Sequence, residues 1–148
     1  MTRNLLLLVH IAAVAAWLGA NLTQFVVAPR LRRAGSAEAL AWSNAARFLG
    51  QRYYNVAGIV VGASGVLLVL DGDWHWRGFV LVGIAMIGIG ATLGIAVFEP
   101  LLKKEAAAIE ACDVTKLTTT RHSITSVATL DTVLLLITML AMIDKWMA

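Results

Sequence analysis

The stretch from Leu5 to Ala28 constrains the fold most, because it contains no Asp, Glu, Lys or Arg. As a helix rising about 1.5 Å per residue, it is long enough to cross the hydrocarbon core of a bilayer. Helical spacing also brings polar side chains onto one face, namely His10, Trp17, Asn21 and Gln24. Polar groups in hydrocarbon need partners, so we expect this face to point towards other helices.

The composition of the whole chain agrees with a membrane protein. Of its 148 residues, 59% are hydrophobic and only 14% are charged, whereas charged residues make up about a quarter of a soluble domain. The formal net charge is +3, but the basic residues lie beside apolar runs, where they set topology and meet anionic lipid headgroups. We therefore expect the lipid bilayer, and not a nucleic acid, as the partner. The single cysteine, Cys112, excludes an intrachain disulfide.

Hydropathy predicts four membrane spans in one transmembrane domain over residues 1–148, at about 5–28, 53–70, 78–98 and 123–143. Each should be helical, since an open sheet cannot satisfy its backbone in lipid. The predicted fold is therefore all-α, an integral membrane antiparallel four-helix bundle.

Two segments between the spans are also predicted to be helical. Residues 37–49 have apolar residues at helical spacing, with Ser36 as N-cap and Gly50 as a possible end, and we expect a short helix on the inner membrane surface. Leu101 to Ala111 should continue the third helix beyond the membrane, with a kink at Pro100.

Basic residues predict the orientation. The loops 29–52 and 99–122 together contain Arg30, Arg32, Arg33, Arg47, Arg52, Lys103, Lys104, Lys116 and Arg121. The N-terminus, the second loop and the C-terminus carry one basic residue each, which are Arg3, Arg77 and Lys145. By the positive-inside rule, the two long loops are cytoplasmic and both termini lie outside.

The two halves of the chain resemble each other. A shift of 71 residues lays the segment 19–22 (GANL) on 90–93 (GATL) and the segment 29–31 (PRL) on 100–102 (PLL). We infer a duplicated two-helix hairpin with both copies in the same membrane orientation. Glycines at helical spacing, which let helix backbones approach closely, are expected to be packing faces: Gly58, Gly62 and Gly65 on the second span, and Gly83, Gly90 and Gly94 on the third.

His10 is the only histidine well inside a span. Haem is commonly held between bundle helices and imidazole is its usual axial ligand, so His10 could be a haem ligand. The alternative, which we favour from sequence, is a neutral histidine hydrogen-bonded within the bundle. His122 is expected at the far end of the fourth span and His75 in an outer turn, which disfavours a bis-histidine haem.

Asp131 is the only acidic residue deep in a span. A carboxylate there needs partners, and its estimated depth makes the N–H groups of Trp17 and Asn21 natural donors. A role in proton or ion transfer is one interpretation. We favour the other, in which Asp131 is a polar clamp between the first and fourth helices.

The order His10, Trp17 and Gly19, followed by an apolar stretch ending at Pro29 and basic residues, resembles the first helix of a known group. That group comprises the membrane domains classed with copper-resistance protein D (CopD) and HemJ-type protoporphyrinogen oxidase. The resemblance implies a bundle in the bacterial inner membrane and, for the HemJ branch, haem b bound through His10. The chain lacks the intramembrane lysine of that branch and the Met- and His-rich outer segments that favour copper handling.

Two functions follow as hypotheses. The first is a non-catalytic accessory or scaffolding subunit that packs against other membrane proteins or further copies of itself, since no convergent catalytic set is present. The second is a haem b protein in electron transfer or porphyrinogen oxidation, with His10 as the iron ligand and with Trp17, Asn21 and Asp131 in support.

Overall fold

Helices account for nearly all of the chain. The structure is a computed structural model and describes residues 2–74 and 77–145. In chain order, its helices are α1 (Thr2–Ala34), α2 (Ser36–Phe48), a π-helical turn (Leu49–Tyr54), α3 (Asn55–Gly72), α4 (Gly78–Thr92), a second π-helical turn (Leu93–Phe98), α5 (Glu99–Glu110) and α6 (Val114–Ile143). No strand occurs among the described residues, so the prediction of an all-α fold is confirmed.

These segments join into four long helices, which we call spans 1 to 4: Arg3–Ala34, Ser36–Gly72, Gly78–Glu110 and Val114–Ile143. Each is long and apolar enough to cross a membrane, and each contains one of the predicted spans. The chain therefore has the character of an integral membrane protein. The helices extend beyond the apolar runs at the end of the bundle that contains Arg32, Arg47 and Lys103, which we call the basic end.

Consecutive spans pack side by side. α1 packs against α3 and α4 against α6, while contacts between α3 and α4 and between α1 and α6 complete the four-helix bundle. Several of the predicted glycine faces lie in these contacts. A Cβ at Gly58 would lie 3.7 Å from the Trp17 ring and one at Gly65 would lie 3.3 Å from the His10 ring, whereas no described neighbour lies within 4 Å of such an atom at Gly62 or Gly94. A Cβ at Gly65 would therefore crowd the His10 ring, whereas one at Gly58 would make ordinary van der Waals contact with Trp17.

The segment around α2 differs from the prediction. Its N-cap is Gly35 and not Ser36, and no described side chain caps it. Gly50 does not end a helix, because the chain continues through the π-helical turn into α3. The segment is therefore continuous with α3 and is not a separate short helix, while its position at the inner membrane surface stays a prediction. Trp42 and Ala46 are buried against α1, α5 and α6, and this packing outweighs the cost of about 1 kcal/mol for a glycine inside a helix.

α5 continues span 3 beyond its apolar run, as predicted. A π-helical turn, Leu93–Phe98, precedes Pro100, and the kink expected at Pro100 itself stays a prediction. Proline lacks an N–H group and crowds the carbonyl four residues earlier, so a local change of hydrogen-bond register is expected just before it. Asp113 is the N-cap of α6, and its side chain accepts a hydrogen bond from the Lys116 backbone N–H at 3.0 Å. Hydrogen bonds from the Lys116 side chain and backbone lower the pKa of Asp113.

Each half of the chain contains two long helices, as a duplicated hairpin requires. The counterparts Gly19 and Gly90 differ in their surroundings, since Gly90 packs against Trp17 and no described neighbour lies within 4 Å of a Cβ placed at Gly19. The duplication itself stays a prediction from the sequence.

Candidate functional site

A layer of polar side chains crosses the interior of the bundle. We call Trp17, Asn21, Tyr54, Asp131 and Thr132 the Asp131 layer. They come from spans 1, 2 and 4, and α1 contributes two of them because residues 17 and 21 are one helical turn apart. Asp131 is only 5% exposed and Asn21 only 6%, so their polar atoms depend on one another.

Asp131 accepts both of the hydrogen bonds expected from the sequence. Asn21 Nδ2 donates to Asp131 Oδ2 at 2.8 Å and Trp17 Nε1 donates to the same oxygen at 3.3 Å. Asn21 Nδ2 also donates to Thr132 Oγ1 at 3.1 Å. The prediction that Asp131 joins the first and fourth helices is confirmed in its geometry.

Tyr54 extends this network towards the basic end. Its hydroxyl donates to Asn21 Oδ1 at 2.7 Å and accepts a hydrogen bond from Gln24 Nε2 at 2.7 Å. The donors from Gln24, Tyr54 and Asn21 therefore point in sequence towards the Asp131 carboxylate. Such an aligned chain of neutral donors stabilises negative charge at its end and holds three spans together.

Gly90 allows Trp17 to reach the carboxylate. A Cβ built on Gly90 would lie 2.7 Å from Trp17 Cη2 and 4.0 Å from Asp131 Oδ1. Because real Cβ atoms do not approach so closely, any side chain at this position would push the indole away from Asp131. Met86 and Leu135 bury the rest of the indole in an apolar cluster.

His10 lies apart from the Asp131 layer and has its own partner. Its Nδ1 is 3.0 Å from Ser64 Oγ, and the Ser64 hydroxyl donates to the Val60 carbonyl of its own helix. If the single Ser64 hydrogen is directed to Val60, a neutral His10 donates through Nδ1–H to the Ser64 oxygen and keeps Nε2 as its unprotonated nitrogen.

The cavity beside His10 is small. It has a volume of about 30 Å³ and is also lined by Trp17, Met86, Met139 and Met142. Cofactor pockets are typically about 300 to 1,000 Å³, so this packing of the helices has no room for a porphyrin next to His10. Of the two further histidines, His122 is exposed on α6, and His75 lies outside the described residues.

A second polar cluster, at the basic end, was not anticipated from the sequence. Glu105 is fully buried and accepts a two-pronged hydrogen bond from Arg32, with Nε at 2.7 Å from Oε1 and Nη2 at 2.9 Å from Oε2. Arg121 Nε donates to Oε1 at 2.9 Å and Ser43 Oγ to Oε2 at 2.9 Å. One carboxylate thus joins α1, α2, α5 and α6.

A signal for this cluster was present in the sequence. Glu105 has helical spacing with Leu102, Ala108 and Ile109, so it is an acidic residue on the buried face of α5. Its sequence neighbours are good helix formers, and the prediction treated it only as one of them. A buried carboxylate requires cationic or hydrogen-bonding partners, and the adjacent loops are rich in arginine.

No protein-family model, curated protein or solved structure matches this chain. The function therefore has to be argued from the geometry. In that geometry, Trp17, Asn21 and Asp131 form one hydrogen-bonded unit and His10 is held by Ser64. Among the described residues, no group of three or more His, Cys, Asp or Glu side chains could hold a metal ion.

Proposed function

We propose that this protein is an accessory or scaffolding subunit of the membrane, whose helices pack against other membrane proteins or further copies of the chain. Support comes from the way its intramembrane polar groups are used. Trp17, Asn21 and Asp131 bind one another across the bundle, and His10 binds Ser64. These groups join spans 1, 2 and 4 to one another instead of converging on an open site.

The observation that carries the proposal is a pair of outward faces made of small residues. On α1 they are Ala12, Ala15, Gly19 and Thr23, and on α4 and the following π-helical turn they are Ala85, Gly88, Thr92 and Ala96. All eight positions are exposed in the isolated chain. No described neighbour lies within 4 Å of a Cβ placed at Gly19 or Gly88.

Two hydrogen bonds make these faces suitable for close helix contact. Thr23 Oγ1 donates to the Gly19 carbonyl and Thr92 Oγ1 to the Gly88 carbonyl, both at 2.8 Å. Each hydroxyl is thereby satisfied within its own helix. Helix association in lipid depends on close backbone approach at small residues, because no hydrophobic force acts between helices there.

The experiment is to fill these faces in the intact membrane. Gly19→Leu and Gly88→Leu should reduce the size of the complex seen by native electrophoresis after mild extraction, while the thermal stability of the purified protein stays unchanged. Val133→Leu, at an exposed position on α6, is the control and should leave the complex intact. A complex of the same size in both glycine variants would contradict the proposal.

The orientation belongs to the same proposal. We place the chain in the bacterial inner membrane with the basic end in the cytoplasm and both termini outside. The support is the uneven distribution of arginine and lysine along the chain.

Haem b binding through His10 is the second candidate, with electron transfer or HemJ-like porphyrinogen oxidation as its activity. It is favoured by one observation, the contact of His10 Nδ1 with Ser64 Oγ at 3.0 Å, since a neutral His10 that donates through Nδ1 has Nε2 available to ligate iron. The cavity of about 30 Å³ does not fit the group. A visible spectrum of gently purified protein tests this candidate: a Soret band lost in His10→Ala would favour haem, and a spectrum without one would exclude it.

A further inference from the structure

Arg47 has an unusual environment. Among the described residues, its Nε is the only buried side-chain nitrogen or oxygen without a hydrogen-bond partner. Buried polar atoms in folded proteins are almost always paired, and an unpaired one commonly marks the place of a ligand, an ion or a water molecule. The guanidinium of arginine matches the geometry of phosphate and carboxylate oxygens in particular.

The surroundings of Arg47 carry a net positive charge. Gln51, one turn further along the helix, donates from Nε2 to Glu99 Oε1 at 3.3 Å, and Lys103 Nζ lies 2.8 Å from the same oxygen. Arg47 precedes Gln51 by four residues, so the two side chains lie on the same side of the helix, and no described hydrogen bond joins Arg47 to Glu99. The cluster therefore contains two cations, Arg47 and Lys103, and one carboxylate. Oε1 of that carboxylate, Glu99, already has Gln51 and Lys103 as its partners.

The depth of the cluster matches the lipid headgroups. Glu99 follows directly after the predicted apolar run 78–98, and Arg47 lies six residues before the run 53–70, which is about 9 Å along a helix. The headgroup zone adds about 5 to 8 Å on each side of the hydrocarbon. The arginine side chain is long enough to cover the remaining distance.

We propose that Arg47 and Lys103 bind the phosphate of an anionic phospholipid headgroup at the basic end of the bundle. The terminal nitrogens of Arg47 donate to phosphate oxygens, and Lys103, which is paired with Glu99, adds positive charge. The hydrogen bond from Gln51 holds the Glu99 carboxylate in place, so that it does not pair with the Arg47 guanidinium. This site is independent of the proposed scaffolding role, since it needs no second protein.

The test uses the full chain in a zwitterionic detergent. Thermal unfolding is followed while phosphatidylglycerol, phosphatidylcholine or inorganic phosphate is added. Phosphatidylglycerol should raise the Tm of the wild type by several degrees more than either of the others. In Arg47→Gln this additional rise should fall to less than half, whereas Arg33→Gln, which removes an exposed arginine of α1 at the same end, should keep all of it.

Native mass spectrometry provides a second measurement, in case Arg47→Gln unfolds. Wild-type protein should retain phosphatidylglycerol at collision energies that strip it from Lys103→Gln. An equal response of Arg47→Gln and the wild type to phosphatidylglycerol would overturn the site. If inorganic phosphate raised the Tm of the wild type as much as phosphatidylglycerol does, the site would be one for small anions, and the assignment to a lipid would be overturned. If phosphatidylcholine raised it as much, the anionic charge would not be recognised, and the proposal would likewise be overturned.

Discussion

Replacing Asp131 measures how strongly the polar layer holds the bundle together. In Asp131→Leu, Trp17 Nε1 loses its only described hydrogen-bond partner, whereas Asn21 Nδ2 keeps Thr132 at 3.1 Å. Hydrogen bonds between membrane helices contribute about 0.6 kcal/mol on average and up to about 1.7 kcal/mol. Losing two of them should lower the free energy of unfolding by about 1 to 2 kcal/mol.

Asp131→Asn should lose much less, because both hydrogen bonds end on one oxygen, Oδ2. The amide of asparagine provides one oxygen at nearly the same position. We expect a change of no more than about 0.5 kcal/mol, the lower end of the range for one hydrogen bond. Thr138→Val on the same helix is the control, because the Thr138 hydroxyl donates only to the Leu134 carbonyl of its own helix.

The assay is reversible unfolding in mixed micelles with increasing sodium dodecyl sulfate, followed by circular dichroism. An Asp131→Leu variant as stable as the wild type would refute the account of these partners. The Asn variant separates the clamp from a proton or ion role, since an amide cannot take up and release a proton near neutral pH. A folded Asn variant that fails to restore function in cells lacking the protein would favour proton or ion transfer over the clamp.

Three further predictions concern packing, charge and topology. Gly90→Ala should lower the free energy of unfolding by about 1 to 3 kcal/mol, because the added Cβ collides with the Trp17 ring. The control Gly88→Ala should be neutral or stabilising. Equal Tm values of the two variants in detergent would contradict this prediction. Glu105→Gln should lower the free energy of unfolding by about 3 to 5 kcal/mol, since it leaves Arg32 and Arg121 facing a neutral group in a buried cluster. The control is Glu110→Gln, at an exposed position of the same helix. A loss of stability no larger than in that control would show that the ion pairs of Glu105 contribute little. Cys112, which is free and exposed, should react with an impermeant thiol reagent only after cells are permeabilised, and efficient labelling of intact cells would reverse the proposed orientation.

Periodicity along the chain was enough to predict which residues form the interior face of α1. The long uncharged runs required four helices, and one polar stripe among apolar residues required that Trp17 and Asn21 point inwards. Asp131 was the only carboxylate at a matching depth. The sequence therefore also identified Trp17 and Asn21 as the donors of the hydrogen bonds that Asp131 accepts. These inferences succeeded because hydropathy and helical spacing are local properties that do not depend on how the helices are ordered around the bundle.

Tertiary structure decided the features that depend on how separate helices face one another. Ser64 is the partner of His10, and Tyr54 joins the Asp131 layer, because the rotation of span 2 about its own axis brings both towards α1. Glu105 is buried because α1, α2, α5 and α6 converge at the basic end, and the helix through Gly50 continues because Trp42 and Ala46 pack in that same contact. Local propensity carries no information on such long-range contacts, since their energy exists only once the spans have packed.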